Sequence, residues 1–315
     1  MKVYTIHNHS IITKIVFHIG LGLVGTAIRN SLYCKYKLIE EKNFKIDWSK
    51  LESDFYLISL IQNIESYILS KNVIKYSTTV IISSGKIGFN SDSDEVNHEV
   101  KIFSQLLQIF SKLIDAGVVE ESLKLILISS AGGLFEGQIN INHSSTVNPK
   151  RPYGIAKLEM ENELINNRYF KNYHILRLSS VYSSKSVHKR LGLIAVLISN
   201  GIRNYSTSIY GNMNTLRDYI YDEDIGNYVA TLVSSKAQKS IEFVVSGFPI
   251  TIFQLKNMVE RIIQKRLYVQ FVNSENAANI TFDNSTLPLG LNITQLEVCI
   301  KRLYNTVVES IIYDN

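Results

Sequence analysis

Apolar residues recur along this chain in two rhythms. Lys14-Ile-Val-Phe-His-Ile19 is a short β-branched and aromatic run that stops at a glycine, which predicts a buried strand. Residues 26–36 follow with Ile28, Leu32 and Tyr36 on one helical face, and residues 37–44 read as a weaker strand. Residues 79–82 and 123–128 are strands again, each running into a serine pair, Ser83-Ser84 and Ser129-Ser130. Between them, residues 99–116 place Phe103, Leu106, Leu107, Phe110 and Leu113 at helical spacing. Residues 153–167 predict a further helix and 173–177 a further strand.

Alternation of strands and helices over roughly the first 180 residues predicts an α/β fold, a parallel sheet covered on both faces. Past that point the alternation loosens. Residues 192–200, 252–265 and 294–311 read as helices and 243–246 as a strand. The last of these helices carries Leu296, Ile300, Leu303 and Val307 on one stripe. No internal repeat or low-complexity linker separates the halves, so the second half is expected to pack on the first.

Composition narrows the class. With 315 residues, 45% hydrophobic, and only 4 Pro, the chain has ample material for a core and none of the bias of disordered, collagen-like or coiled-coil sequences. No apolar run reaches the ~18–20 residues of a membrane span. The first twelve residues lack the apolar stretch of a secretory signal, so a cytoplasmic protein without membrane association is expected. The net charge of +5 is spread among acidic residues, and the densest basic clusters are short (Lys185, Lys189 and Arg190; Lys265 and Arg266). That pattern predicts a solvated surface and no nucleic-acid partner. Cys34 and Cys299 are too few and too far apart for a disulfide framework or a zinc site. The seven histidines show no metal-binding spacing; His7-x-His9 reads as a strand or loop pair, so no metal is expected.

Three motifs carry chemistry. Gly20-Leu-Gly22-Leu-Val-Gly25 is G-x-G-x-x-G between a strand and a helix. Glycines there permit a tight turn and a close backbone approach to a pyrophosphate, and the helix N-terminus offers free N–H groups. Ser130, with Ser129 as its alternative, ends a strand where open α/β sheets bind ligands, and a hydroxyl there can orient a substrate oxygen. Tyr153-Gly-Ile-Ala-Lys157 puts a phenol and an ammonium on one helical face. The cation favours the phenolate, which lets Tyr153 act as acid or base near neutrality.

The order of these motifs resembles the extended short-chain dehydrogenase/reductase superfamily, specifically the NAD-dependent epimerase/dehydratase family acting on nucleotide sugars. Ser129-Ser-Ala-Gly-Gly-Leu-Phe-Glu-Gly137 is similar to its S-S-G-G-x-V-Y-G segment, and Pro152-Tyr-Gly-Ile-Ala-Lys157 to S-P-Y-G-x-S-K. Leu176-Arg-Leu-Ser-Ser-Val-Tyr182 resembles L-R-x-x-N-V-Y; Ile209-Tyr-Gly-Asn and Arg217-Asp-Tyr-Ile-Tyr-Asp-Glu-Asp224 resemble I-Y-G-D-G and R-D-F-I-Y-V-D-D.

The resemblance implies a Rossmann domain over residues 1–180 and a smaller α/β substrate-binding part over 181–315, with segments near 217–250 returning to the first. It implies NAD, with NADP possible, a nucleotide-sugar substrate, a homodimer, and a role in sugar-nucleotide metabolism such as surface polysaccharide biosynthesis. Ser130, Tyr153 and Lys157 take the catalytic positions. Gly20, Gly22, Leu23, Val24 and Gly25 surround the pyrophosphate, with Ser83 and Ser84 lining the same cofactor cleft. Ser129, Ser180 and Arg217 face the substrate, Arg217 at its phosphates, and a salt bridge from Arg217 to the acidic run 222–224 is the alternative. The ribose carboxylate is expected at Glu40, with Glu41 and Asp47 as rivals; NAD is favoured over NADP because no basic residue is well placed for a 2′-phosphate, with Lys42 the one near enough to leave NADP open.

The chain also departs from the family pattern. Members that dehydrate carry an Asp-Glu pair where this chain has Gly132 and Gly133, so dehydration is not expected. Ser180 replaces the usual Asn, and residues 271–288 contain no Arg to serve as a second phosphate ligand. The stretch between the second strand and Thr79 is short, so the usual third strand is expected to be reduced. A 4-epimerase-like enzyme leads; a reductase of 4-keto sugar nucleotides and a non-catalytic dinucleotide-binding protein are the alternatives.

Overall fold

A computed structural model describes residues 1–8, 11–36, 39–50, 53–71, 76–183, 192–236, 238–272 and 278–313. His9, Lys37, Lys185, His188, Lys189 and Arg190 lie outside the described residues.

The chain opens with β1 (Lys2–Asn8) and β2 (Ile11–Ile19), followed by α1 (Leu23–Lys35) and β3 (Ile39–Asn43). Next come α2 (Asp54–Leu69), β4 (Ser77–Ile82), α3 (Ser93–Asp115), β5 (Lys124–Ser130) and the single turn α4 (Ala131–Leu134). Then follow α5 (Pro152–Asn166), β6 (Asn172–Leu178), β7 (Ser180–Tyr182), α6 (Leu193–Arg203), β8 (Thr207–Tyr210), β9 (Leu216–Arg217) and β10 (Tyr219–Tyr221). The last stretch holds α7 (Asp222–Leu232), β11 (Lys239–Val244), β12 (Ile250–Thr251), α8 (Ile252–Ile263), β13 (Val269–Val272) and α9 (Leu296–Tyr313).

Seven strands form the central sheet, in the order β11-β6-β5-β4-β2-β1-β3. From β2 to β11 neighbours are parallel; β1 runs antiparallel to both β2 and β3. The parallel strands are apolar almost throughout because both of their faces are covered. On one face α2, α3 and α5 bury Leu60, Ile64, Phe103, Phe110 and Leu164 against Phe17, Val80 and Leu125. On the other, α1 and α7 bury Ile28, Leu32, Ile225 and Val229 against Val16, Ile81 and Ile126. The apolar stripe from Phe103 to Leu113 belongs to the first core.

Local signals set the helix starts. The Asp92 side chain accepts from Glu95 N, and so starts α3 six residues before the apolar rhythm becomes readable. Ser53 caps α2 in the same way, and among the described residues no strand intervenes between Asn43 and Ser77. Strand β1 was not expected. Val3, Tyr4, Thr5 and Ile6 are buried, so this N-terminal segment is an interior strand.

A second core joins α6, α8 and α9 through Ile194, Leu197, Leu255, Val259, Ile300 and Leu303. Short pairs β8–β13, β9–β12 and β7–β10 line its side towards the carboxyl ends of the main sheet. β11 rejoins the main sheet beside β6, and α7 packs along α1. No helix among the described residues is long and apolar enough to cross a membrane.

Candidate active site

The glycine turn is built by contact. Gly20 has φ +97°, and a Cβ there would fall 2.3 Å from Ser84 N. A Cβ on Gly25 would lie 2.0 Å from Gly20 O, so α1 can start only where residue 25 has no side chain. Ser83 clamps the turn from below, its hydroxyl donating to Gly20 O at 2.8 Å beside His18 Nε2 at 3.0 Å. Gly22, by contrast, faces open space and caps α1 without a side-chain bond. The first N–H groups of the helix, from Leu23 and Val24, therefore meet an open, side-chain-free seat with a favourable dipole. That cradle fits the pyrophosphate of a dinucleotide.

The strand end after β5 separates the two serines. Ser129 donates to Glu161 Oε1 at 2.5 Å, and Glu161 is fully buried and paired with Arg177 at 2.7 Å. Ser129 thus commits its hydroxyl to a structural ion pair. Ser130 accepts from Gly133 N at 3.1 Å and starts α4, which leaves its own proton to donate. Tyr153 is the second residue of α5, and Lys157 follows one turn later with its Nζ 5.9 Å from the Tyr153 ring centre. The Tyr153 ring is wedged between Phe89, at 5.4 Å between centres, and Gly133, where a Cβ would approach to 2.9 Å.

Two cavities meet here. One, of about 190 Å³, is lined by Val24, Ser83, Ser84, Gly85, Ile87 and Lys157. The other, of about 620 Å³, runs between the two cores past Glu136, Arg151, Ser180, Tyr210, Arg217 and Tyr219. Ser130, Tyr153, Ser179 and Val181 belong to both. Arg217 is held by the carbonyls of Leu216 and Ala278 while lining the larger cavity, and its burial pulls the guanidinium below its ordinary pKa.

Three charged groups at this junction had no sequence signal. Glu136 and Arg151 form a two-oxygen ion pair at 2.9 and 3.1 Å in the larger cavity, with Arg151 5.4 Å from the Phe89 ring centre. Glu99, on α3, contacts Lys157 at 3.4 Å. Each pair spans segments distant in sequence, so only folding brings its members together.

The structure does not bring Glu40 to the glycine turn. It lies opposite Thr5, level with Ile15, bonds Lys71 at 2.6 Å and stands 3.5 Å from His7 Nε2. Five residues of strand, roughly 16 Å, separate that level from Gly20. The reason is β1, which occupies the place beside β2 and displaces β3 by one strand. Glu41 is held by Lys2, Arg29 and Tyr33, and Asp47 by Ser49 and Lys50 in its own turn. Among the described residues no cluster of His, Cys, Asp or Glu is arranged for a metal, and Cys34 and Cys299 are both unpaired thiols.

Comparison with known proteins fits this geometry. Over 144 residues the chain is 29% identical to a curated Methanocaldococcus jannaschii protein named "Putative UDP-glucose 4-epimerase", covering 44% of this chain and 47% of that one. It is 23% identical to the dTDP-4-dehydro-6-deoxyglucose reductase of Escherichia coli, covering 68% of this chain and 66% of that one. The chain therefore spans about half of the first relative and just under two thirds of the second. In three dimensions it is similar to the UDP-glucose 4-epimerase of Thermus thermophilus in complex with NAD, with a TM-score of 0.72, 16% identity, and coverage of 94% of this chain and 99% of that one. That likeness fixes a Rossmann-type fold. The family model for the NAD dependent epimerase/dehydratase family matches residues 72–245, from β4 through the Ser130, Tyr153 and Lys157 corner to β11, and with more than half of the sequence matched the chain belongs to that family.

Proposed function

We propose that this protein is an NAD-dependent nucleotide-sugar epimerase, of the 4-epimerase kind, working by transient oxidation of a sugar hydroxyl. The observation that carries the reading is that Tyr153 and Ser130 stand on the wall common to the two cavities. A dinucleotide entering over the glycine turn and a sugar entering between the cores meet at those two hydroxyls. Bound NAD supplies a hydride acceptor that can hand the hydride back.

The chain's own residues do the rest. Tyr153 takes the proton of the sugar hydroxyl as the carbon is oxidised and returns it after the sugar has turned. Ser130, with its proton free to donate, orients that oxygen. Lys157 binds the nicotinamide ribose and supports the phenolate of Tyr153. Ser180 and Arg217 face the remainder of the substrate, Arg217 as the phosphate partner. Gly132 and Gly133 offer neither acid nor base, which speaks against loss of water. A homodimer through the outer faces of the packed pair α3 and α5 belongs to the same reading, and size-exclusion chromatography with light scattering tests it.

The test is direct. Denatured protein is examined by mass spectrometry for released dinucleotide, and the native protein is incubated with UDP-glucose, UDP-glucuronic acid and their 4-epimers. Interconversion without net consumption of cofactor is expected, with Tyr153→Phe slowing it by about 10²-fold or more. Failure to convert any of the four sinks the epimerase reading. Because one relative is a dTDP-4-keto-sugar reductase, a reductase is the second reading, and stoichiometric oxidation of NAD(P)H would select it.

A further inference from the structure

Glu99 connects two parts of the site that the motifs do not link. One carboxylate oxygen, Oε2, accepts from Lys86 N at 2.7 Å and from Ile87 N at 3.1 Å; the other, Oε1, lies 3.4 Å from Lys157 Nζ. Both side chains of the ion pair are largely buried, at 13% and 8% exposure. Residues 85–87 form the loop after β4, and Gly85 and Ile87 line the smaller cavity together with Lys157. The fit requires Gly85, where a Cβ would come 2.9 Å from Glu99 Oε1. A single carboxylate thus fixes both the wall of this cavity and the ammonium that faces into it.

We propose that Glu99 is a positioning residue for the nicotinamide half of the cofactor, acting through Lys157. An ammonium has three donors. Glu99 takes one at 3.4 Å and Met160 Sδ a second at 3.9 Å, so the lysine's rotation about its long stem is restricted and its third donor is left for the cavity. Without that anchor Lys157 must lose the freedom of a flexible side chain each time it binds a ribose hydroxyl. The adenosine half binds over the glycine turn and makes no demand on Glu99. This inference rests on the reading of the smaller cavity as the nicotinamide-ribose pocket.

The experiment compares NADH and ADP binding, by fluorescence and calorimetric titration, in wild type and Glu99→Gln. The amide oxygen of glutamine still accepts from Lys86 and Ile87, but its NH₂ meets Lys157 donor to donor. NADH affinity is expected to fall about tenfold or more, the loss of a charge-assisted bond, while ADP affinity stays within about twofold. In the Lys157→Met background Glu99→Gln should weaken NADH no further. Equal losses for NADH and ADP, unchanged NADH affinity, or additive effects in the double variant would each overturn the proposal. A wild type that binds ADP but not NADH would overturn the cofactor reading beneath it, and the proposal with it.

Discussion

A methyl group at Gly133 would lie 2.9 Å from Tyr153 Cε1 and 3.0 Å from Cδ1, whereas one at Gly132 would sit 3.6 Å from Phe89, an ordinary contact. The two neighbouring glycines therefore predict opposite outcomes. Gly133→Ala must push the Tyr153 ring aside, and turnover should fall at least about tenfold, since misplacing a reacting group by a fraction of an ångström costs that much. Gly132→Ala should stay near the wild type. Steady-state kinetics on the pair decide the matter, and equal activities would show that the Tyr153 ring is not held by this contact. The same packing explains why a dehydratase-type side chain has no room at position 133.

Among the elements, the inserted strand β1 has two consequences. Glu40 is drawn into pairs with Lys71 and His7 and stands well below the glycine turn. Glu40→Ala is accordingly expected to leave NADH affinity within about twofold, since an exposed ion pair contributes little. A tenfold loss in titration would restore it to the ribose site. The second consequence concerns His18 in β2, which is buried between β1 and β4; burial pushes its pKa down from 6.5 to about 3. The folded chain thus refuses a proton that the unfolded chain accepts. Stability is fully present above pH 6.5 and is lost as the pH falls towards 3. At pH 4.5 the loss from this group is about 2–3 kcal/mol. Urea denaturation at pH 7 and 4.5 should show a smaller difference in His18→Leu than in the wild type; an unchanged difference would assign the acid loss elsewhere.

Across the whole molecule, the larger cavity lies between two separately packed cores. One is built on the seven-stranded sheet, the other on α6, α8 and α9. Ser130 and Tyr153 come from the first; Tyr210 and Arg217 come from the short strands of the second. A ligand that bridges them stabilises the folded state by mass action. NADH at about 100 times its dissociation constant should add about 2.7 kcal/mol to the unfolding free energy, readable as a rise in Tm. No rise at any NADH concentration would count against dinucleotide binding.

Strands such as β4 and β5 and the stripe of α3 were legible in the sequence because their apolar period is local and strong. The glycine turn and the spacing of Tyr153 and Lys157 were legible because their chemistry is carried by contiguous residues. Strand β1 was not, since Lys-Val-Tyr-Thr-Ile-His has a polar look that only burial between two strands cancels. With β1 went the assignment of the ribose carboxylate, because counting residues from a glycine assumes which strand lies next. Ser129 and Ser130 are adjacent in sequence, equal in chemistry and both on the wall of the smaller cavity; the pleat of β5 alone turns the Ser129 hydroxyl to Glu161 and leaves that of Ser130 a proton to donate. Glu99, Glu136 and Arg151 gained their partners across 58 and 15 residues of chain. Most of the elements, the glycine turn and the shared helical face of Tyr153 and Lys157 were already written in the order of amino acids, for those depend on local periodicity and intrinsic chemistry. Strand order, the hydroxyl that is free to act and the carboxylate that steadies Lys157 came from the closed fold, because each depends on what a side chain meets after distant segments have packed together.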